Sequence, residues 1–219
     1  MRTIVPAGYH DRLMWRDVFN GNAYGTNCWL LSADGNPDAV VVDLGFEPEQ
    51  VRGLLAAAGR RPVAVLLTHA HLDHAEEAGA FAGDDVPVFV HEADAVAFRD
   101  PEMWDAGFEN PLTGVKDLRV VADGDVLEFG GIRVEVQHTP GHTPGHCCFR
   151  SDAFVLTGDL VFAGSIGRSD FANSSPADMQ RSLRRFLDLP DDLSVWPGHG
   201  PETTVGHERA TNPFLMGLR

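Results

Sequence analysis

The sequence predicts an α/β fold of two mixed β-sheets with helices packed outside, and three observations carry that expectation. Short apolar runs alternate with helical patterns through the first half of the chain, the arrangement that builds parallel strands. In the second half the strand-like runs pair as hairpins, which builds antiparallel ones. A hydrophobic content of 43% in 219 residues suffices for a substantial core, and no repeat, low-complexity tract or Pro/Ser-rich linker divides the chain. A single domain over residues 1–219 is expected.

The first two strands are Thr26 to Leu31 and Ala39 to Asp43, joined by the turn signal Asp34-Gly35-Asn36-Pro37. A helix from Val51 to Ala58 follows Pro48, and the nearly all-apolar run Val63 to Leu67 reads as a strand buried on both faces. Asp73 stands where an N-cap would be, ahead of a helix from Ala75 to Phe81. Val86 to Val90 is another buried strand and Glu92 to Phe98 another helix. Residues Arg99 to Gly114 fit neither period, and their Trp104, Phe108 and two prolines suit either a lid or an ordered surface loop. Ile132 to Val136 alternates strictly, as a half-exposed strand does, after the hairpin signal Phe129-Gly130-Gly131. The runs Cys147 to Phe149 and Phe154 to Leu156, a helix from Pro176 to Leu187 and a strand from Leu193 to Trp196 complete the series.

Charge and composition exclude several functions. Seventeen basic against thirty-two acidic residues give a formal charge of −15, which repels a phosphate backbone, and the arginines form no tract, so nucleic acid is not an expected partner. No apolar run reaches the ~18 residues of a membrane span, and the opening segment has neither a signal core nor an amphipathic presequence. A soluble, cytoplasmic protein with no membrane partner is expected. Cys28, Cys147 and Cys148 are odd in number and lack a CxxC spacing, which indicates packed thiols, neither a disulfide framework nor a cysteine metal site.

The ten histidines cluster at loop starts. Directly after the strand Val63 to Leu67 comes Thr68-His69-Ala70-His71-Leu72-Asp73-His74, which delivers four nitrogen and oxygen ligands in six residues. That is too many for one closed tetrahedral site with further ligands elsewhere, and it suits two metals a few ångströms apart. Downstream, Gly141-His142-Thr143-Pro144-Gly145-His146, Thr157-Gly158-Asp159 and Pro197-Gly198-His199-Gly200 each follow a predicted strand. Their glycines let the backbone turn sharply and approach a metal closely.

These motifs, in this order and at these intervals, resemble the metallo-β-lactamase-fold hydrolases, and specifically the short, single-domain glyoxalase II-like branch. Residues 164–171 and 208–215 extend the similarity over most of the chain. The resemblance implies an αββα sandwich with two divalent metal ions at one sheet edge, zinc first and iron or manganese as alternatives. It implies that His69, His71 and His142 hold one metal, that Asp73, His74 and His199 hold the other, and that Asp159 bridges them, Asp73 and Asp159 being catalytic as well as ligating. His146 has no ligand role in the pattern and is expected among the outer hydrogen-bonding partners. Asp43 ends a strand near the expected site and is a candidate to orient a ligand histidine; His138 is near His142 in sequence, while His10, His91 and His207 stand outside the motifs. The resemblance also implies that Arg168 is the basic residue placed to meet a substrate carboxylate, with an ion pair to Asp170 as the structural alternative.

The chemistry that follows is metal-assisted hydrolysis of a small-molecule thioester or ester. A metal-bridging hydroxide attacks a polarised carbonyl without a protein general base. A thiolate, whose thiol pKa is about 8.5, leaves without protonation, whereas an amide nitrogen needs an acid that the motifs do not supply. The leading expectation is a hydroxyacyl-glutathione type of thioester. A mononuclear Fe(II) persulfide dioxygenase using His69, His142 and Asp159, and a lactonase or ester hydrolase, are the alternatives of the same fold. A non-catalytic metal-binding or redox protein is a further class, disfavoured by the complete ligand set. The pair Glu76-Glu77, where relatives carry two glycines, and the lack of the C-terminal basic extension of the larger glyoxalase II enzymes both weigh on substrate choice.

Overall fold

A computed structural model describes residues 14–99 and 114–218. Two six-stranded mixed sheets lie face to face. The first is ordered β1 (Met14–Phe19), β2 (Cys28–Ala33), β3 (Asp38–Val42), β4 (Arg61–Leu66), β5 (Val88–His91) and β6 (Leu118–Val121). Its first three strands run antiparallel and its last four are mutually parallel. The second is ordered β14 (Thr203–Thr204), β13 (Ser194–Pro197), β10 (Phe154–Gly158), β9 (Cys147–Arg150), β8 (Ile132–His138) and β7 (Val126–Phe129), with β10 and β13 parallel. A ribbon of β11 (Val161–Phe162) and β12 (Ser165–Ile166) stands apart from both. The helices are α1 (Pro48–Ala57), α2 (Leu72–Ala75), α3 (Val96–Arg99), α4 (Pro176–Leu187) and α5 (Val205–Thr211).

Three apolar layers explain the continuous hydrophobic runs of the central strands. On β2, Leu30 joins the cluster under α1 with Val51 and Leu55, while its neighbours Trp29 and Leu31 face the other sheet. Val41 and its neighbours Val40 and Val42 divide in the same way on β3, so both faces of these strands are buried and their central residues are apolar. The layer between the sheets holds Phe89, Val134, Val136, Phe149, Leu156 and Trp196. Here Trp196 stacks on Phe154 at 4.0 Å and on Trp29 at 5.4 Å between ring centroids, and the Trp29 indole N–H donates to the Pro197 carbonyl at 3.0 Å. The third layer sits between the second sheet and α4, whose Met179, Leu183 and Phe186 recur at helical spacing. Ser175 caps that helix by accepting from the Asp178 N–H, with Pro176 in its first turn.

Two local expectations fail for the same physical reason. Asp73 is not an N-cap: α2 starts at Leu72 with His71 at the cap position, ends at Ala75, and is followed by a separate 3-10 helix over Ala78–Asp84. The Asp73 carboxylate accepts from Thr26 Oγ1 at 2.8 Å and faces His199, so it serves a tertiary contact and not its own helix end. Likewise only Val96–Arg99 of the expected Glu92 to Phe98 helix forms, because Asp94 turns inward to partners on other loops. Strands β1, β6 and β14, the β11–β12 ribbon and helix α5 were not evident from sequence. The segment Arg99 to Gly114, expected as either a lid or a surface loop, lies almost entirely outside the described residues, and His10 lies wholly outside them. No helix among the described residues is long and apolar enough to cross a membrane.

Candidate metal centre

The predicted metal-type residues all follow the C-terminal end of a strand, in the loop itself or, for Asp73 and His74, in the short helix α2 that the loop enters. His69, His71, Asp73 and His74 follow β4, His142 lies between β8 and β9, Asp159 directly follows β10, and His199 follows β13. The two sheets deliver these loops to one place. An isolated bridge pairs Thr26 with His199, and the Asn27 N–H donates to the Gly198 carbonyl at 2.7 Å, tying the last loop to the first sheet. Gly198 is required there, since a β-carbon would lie 2.4 Å from Asp159 Oδ1 and 2.7 Å from the His74 ring.

Three overlapping sets of donors result: His69, His71 and His142; His69, His74 and Asp159; and Asp73, His74 and His199, with the donor atoms of each set within 4.8 Å of one another. In the first set His71 Nδ1 lies 3.1 Å from His69 Nε2 and 2.8 Å from His142 Nε2. Asp159 spans the sets, Oδ1 lying 3.3 Å from His74 Nε2, and Oδ2 3.3 Å from His142 Nε2 and 3.6 Å from His199 Nε2.

Hydrogen bonds behind the rings fix which nitrogen faces the centre. The Asp43 carboxylate, 1% exposed, accepts from the Thr68 N–H and hydroxyl, both at 2.8 Å. With its hydrogen committed to Asp43, Thr68 Oγ1 accepts from His69 Nδ1–H at 3.1 Å, leaving a lone pair on His69 Nε2. Asp43 also accepts from His74 Nδ1–H at 3.0 Å, leaving His74 Nε2 to face the centre. His142 Nδ1–H donates to the Arg168 carbonyl at 2.7 Å. Asp43 itself holds a left-handed backbone (φ 59°), a conformation retained where surrounding contacts demand it. The sequence reading of Asp43 as an orienting residue thus describes two histidines, one direct and one through Thr68.

Burial, reinforced by neighbouring rings, holds His69 well below and His71 down to about 3, and burial lowers His142 as well, so these three present neutral nitrogens. Burial also pulls on His74 and His199, but the carboxylates of Asp73 and Asp159 outweigh it and raise both. Although burial opposes it, those histidines hold the Asp73 and Asp159 carboxyls far below the ordinary range. The centre therefore combines neutral lone pairs with two ionised carboxylates and favours positive charge. Asp159 Oδ1 is sealed from solvent and faces His74 Nε2 at 3.3 Å. Lone-pair nitrogens at 2.8–3.1 Å cannot all be satisfied by protons, since a hydrogen on His71 Nδ1 serves only one of its two neighbours. This donor set fits divalent metal.

The remaining candidates take other places. Buried His146 accepts the Asp159 N–H on Nε2 at 3.1 Å, with Thr139 on Nδ1 at 3.0 Å, and so positions Asp159 from behind. His138 stacks on His91 at 3.9 Å and bonds the Pro144 carbonyl, bracing the loop of His142, while His207 is exposed on α5. Arg168 reaches the rim: its guanidinium grips Asp170 at 2.8 and 3.0 Å and lies 4.5 Å over the Phe171 ring, which sits edge-on to His71 and His142. Sequence reasoning missed Thr26, Phe171, Asp94 and Phe162, whose ring stands edge-on to His199 at 5.7 Å. Burial pushes the Asp94 carboxyl up to about 6 against three donors, Ala70 N–H, Thr143 Oγ1 and Gly145 N–H. Burial raises all three cysteine thiols, which keeps them protonated and inert.

Two facing mixed sheets clad in helices, carrying a His/Asp donor set at their strand ends, define the architecture and centre of a metallohydrolase. The chain belongs to the metallo-beta-lactamase superfamily, whose sequence profile matches residues 21–199. It is 34% identical over 206 residues to the hydroxyacylglutathione hydrolase GloC of Haemophilus influenzae, covering 91% of this chain and 97% of that one. Among solved structures it resembles BLEG-1 B3 metallo-beta-lactamase (TM-score 0.85, 31% identity, 93% of this chain and 100% of that one). It also resembles TTHA1623 in a di-iron-bound form (TM-score 0.79, 36% identity, 91% of this chain and 100% of that one).

Proposed function

We propose that the protein is a dinuclear metallohydrolase that cleaves a small acyl thioester of the hydroxyacyl-glutathione type. The observation that carries this reading is the position of Asp159, whose carboxylate lies 3.3 Å from His142 of one set and 3.3 and 3.6 Å from His74 and His199 of the other. In it His69, His71 and His142 hold one cation, Asp73, His74 and His199 the other, and Asp159 both. Two divalent ions, zinc first and iron or manganese as alternatives, supply Lewis acidity and bring the pKa of water towards neutrality. The similarity to a di-iron-bound structure and to a hydroxyacylglutathione hydrolase supports both halves of the proposal.

The protein groups then have defined tasks. Thr68, held by Asp43, leaves His69 Nε2 as the lone-pair nitrogen, Asp43 turns His74 Nε2 towards the centre, and His146 aims Asp159. Asp73, the one acid in the motifs beside the bridging carboxylate, is held ionised and has no proton to give a leaving group. That favours thiolate, which departs unprotonated, over an amide nitrogen. The substrate is a small molecule, and neither nucleic acid nor membrane is a partner in this reading; the −15 charge supports the first exclusion.

The test is elemental analysis of protein purified without added metal, beside assays for thioester, ester and lactone hydrolysis, β-lactam hydrolysis and persulfide-dependent oxygen uptake. Two ions per chain and thioester turnover are expected. Asp159→Asn should lower turnover by several orders of magnitude and reduce metal content. Protein that carries one iron, consumes oxygen with a persulfide and leaves thioesters intact would overturn the proposal.

A further inference from the structure

Asp94 is fully buried and stands apart from all three donor sets, yet it touches the two loops that carry the three histidines of the first one. It lies in the turn after β5, on the first sheet, where its N–H and that of Ala95 cap the His91 carbonyl. Its Oδ2 accepts from the Ala70 N–H at 3.1 Å, between His69 and His71, and from the Thr143 hydroxyl at 2.6 Å, next to His142. Its Oδ1 accepts from the Gly145 N–H at 2.6 Å, on the loop that belongs to the second sheet. One carboxylate thus ties together loops from opposite sheets. Gly145 leaves room for it, since a β-carbon there would lie 2.6 Å from both the Asp94 nitrogen and Oδ1. The second glycine of the Gly141 to His146 motif therefore answers to Asp94 and to no metal.

We propose that Asp94 is a positioning residue that clamps the His69–His71 loop to the His142–Gly145 loop and so sets the spacing of the first donor set. The inference rests on the metal reading above. A buried carboxylate matched to three donors from two chain segments fixes their separation more tightly than apolar packing, because a shift of either loop strands a buried polar group. Asparagine keeps part of the clamp. Its carbonyl oxygen can accept from Gly145, its amide can donate to a reversed Thr143 hydroxyl, and the Ala70 contact is lost.

Cobalt(II) titration followed by visible absorption tests this without any turnover assay. Asp94→Ala is expected to weaken binding of one of two cobalt ions by about 10–100-fold and to alter its absorption bands, as loss of outer partners does at metal sites. Asp94→Asn should fall between this variant and wild type. Leu55→Ala, a core truncation under α1, should lower the melting temperature and leave cobalt affinity and spectrum unchanged. A folded Asp94→Ala protein with wild-type affinity and spectrum overturns the proposal, and so does an equal cobalt defect in Leu55→Ala. If Asp94→Ala does not fold, Asp94→Asn and Thr143→Val decide: unchanged affinity and spectrum in both overturns it. Wild-type protein that binds no cobalt overturns the metal reading, and the clamp with it, whereas intact two-ion binding in all variants removes the clamp alone.

Discussion

Replacing Asp43 by Asn tests how far one carboxylate governs the whole centre. The Asn oxygen can take the place of Oδ1 and keep the Thr68 N–H, but the amide then stands where Oδ2 accepts from both the Thr68 hydroxyl and His74 Nδ1–H. To meet a donor, the Thr68 hydroxyl must reverse and give its hydrogen to His69 Nδ1, which forces the proton of that ring onto Nε2. His74 must likewise accept on Nδ1 and carry its hydrogen on Nε2. Two of the seven donor nitrogens and oxygens would then point N–H at the cation. Loss of one outer partner costs about 10–100-fold in metal affinity, so two affected ligands give about 10²–10⁴-fold, or ~3–5 kcal/mol. The steric change is negligible, which separates this effect from packing. Competition with a chromophoric chelator measures it directly, and Thr68→Val, which touches only His69, should lose about the one-ligand share. Asp43→Asn protein that holds two ions with wild-type affinity would refute the reasoning.

Arg168→Ala should raise KM for a carboxylate-bearing thioester much more than for a neutral one, with kcat little changed, because a remote anion contributes uniform binding. Equal effects on both substrates would assign Arg168 to its pairing with Asp170. His91, held down to about 4 by burial and by the stacked His138, opposes folding in acid: an unfolded histidine takes its proton near 6.5, so stability present above that pH is lost as pH falls towards 4. For a half-exposed ring, solvent screening leaves on the order of 1 kcal/mol, and His91→Gln should flatten the decline of urea stability between pH 7 and pH 5 by that amount. An unchanged decline in the variant would remove His91 as its source.

The sheet strands that sequence located most securely are those buried on two faces. Val40, Val41 and Val42 alternate between two cores, and no polar residue interrupts them. Strand β1 was hidden because Met14–Phe19 lies half-buried at an edge, where Arg16 and Asp17 break any alternation. His69, His71, Asp73 and His74 were visible because closely spaced donors at a strand end have little other use in a core, and His142, Asp159 and His199 because each stands beside glycine after a strand in a motif that resembles the family's. Asp94 was invisible for the converse reason: Glu92-Ala93-Asp94 reads as the polar start of a helix, and its partners Ala70, Thr143 and Gly145 lie 24, 49 and 51 residues away. Asp73 misled the helix boundary because a carboxylate in the first turn looks alike whether it faces its own backbone or a cluster of histidines.

Trp29 and Trp196 give the molecule a built-in optical gauge. They are two of its four tryptophans, buried 5.4 Å apart in the seam between the sheets. The Trp29 indole bonds the Pro197 carbonyl, two residues before His199. A displacement of that loop changes the polarity around an indole N–H and the stacking of its partner, both of which alter near-ultraviolet emission. Any shift of the His199 loop on filling the centre would therefore be read in the native chain, with no label attached and no substrate present.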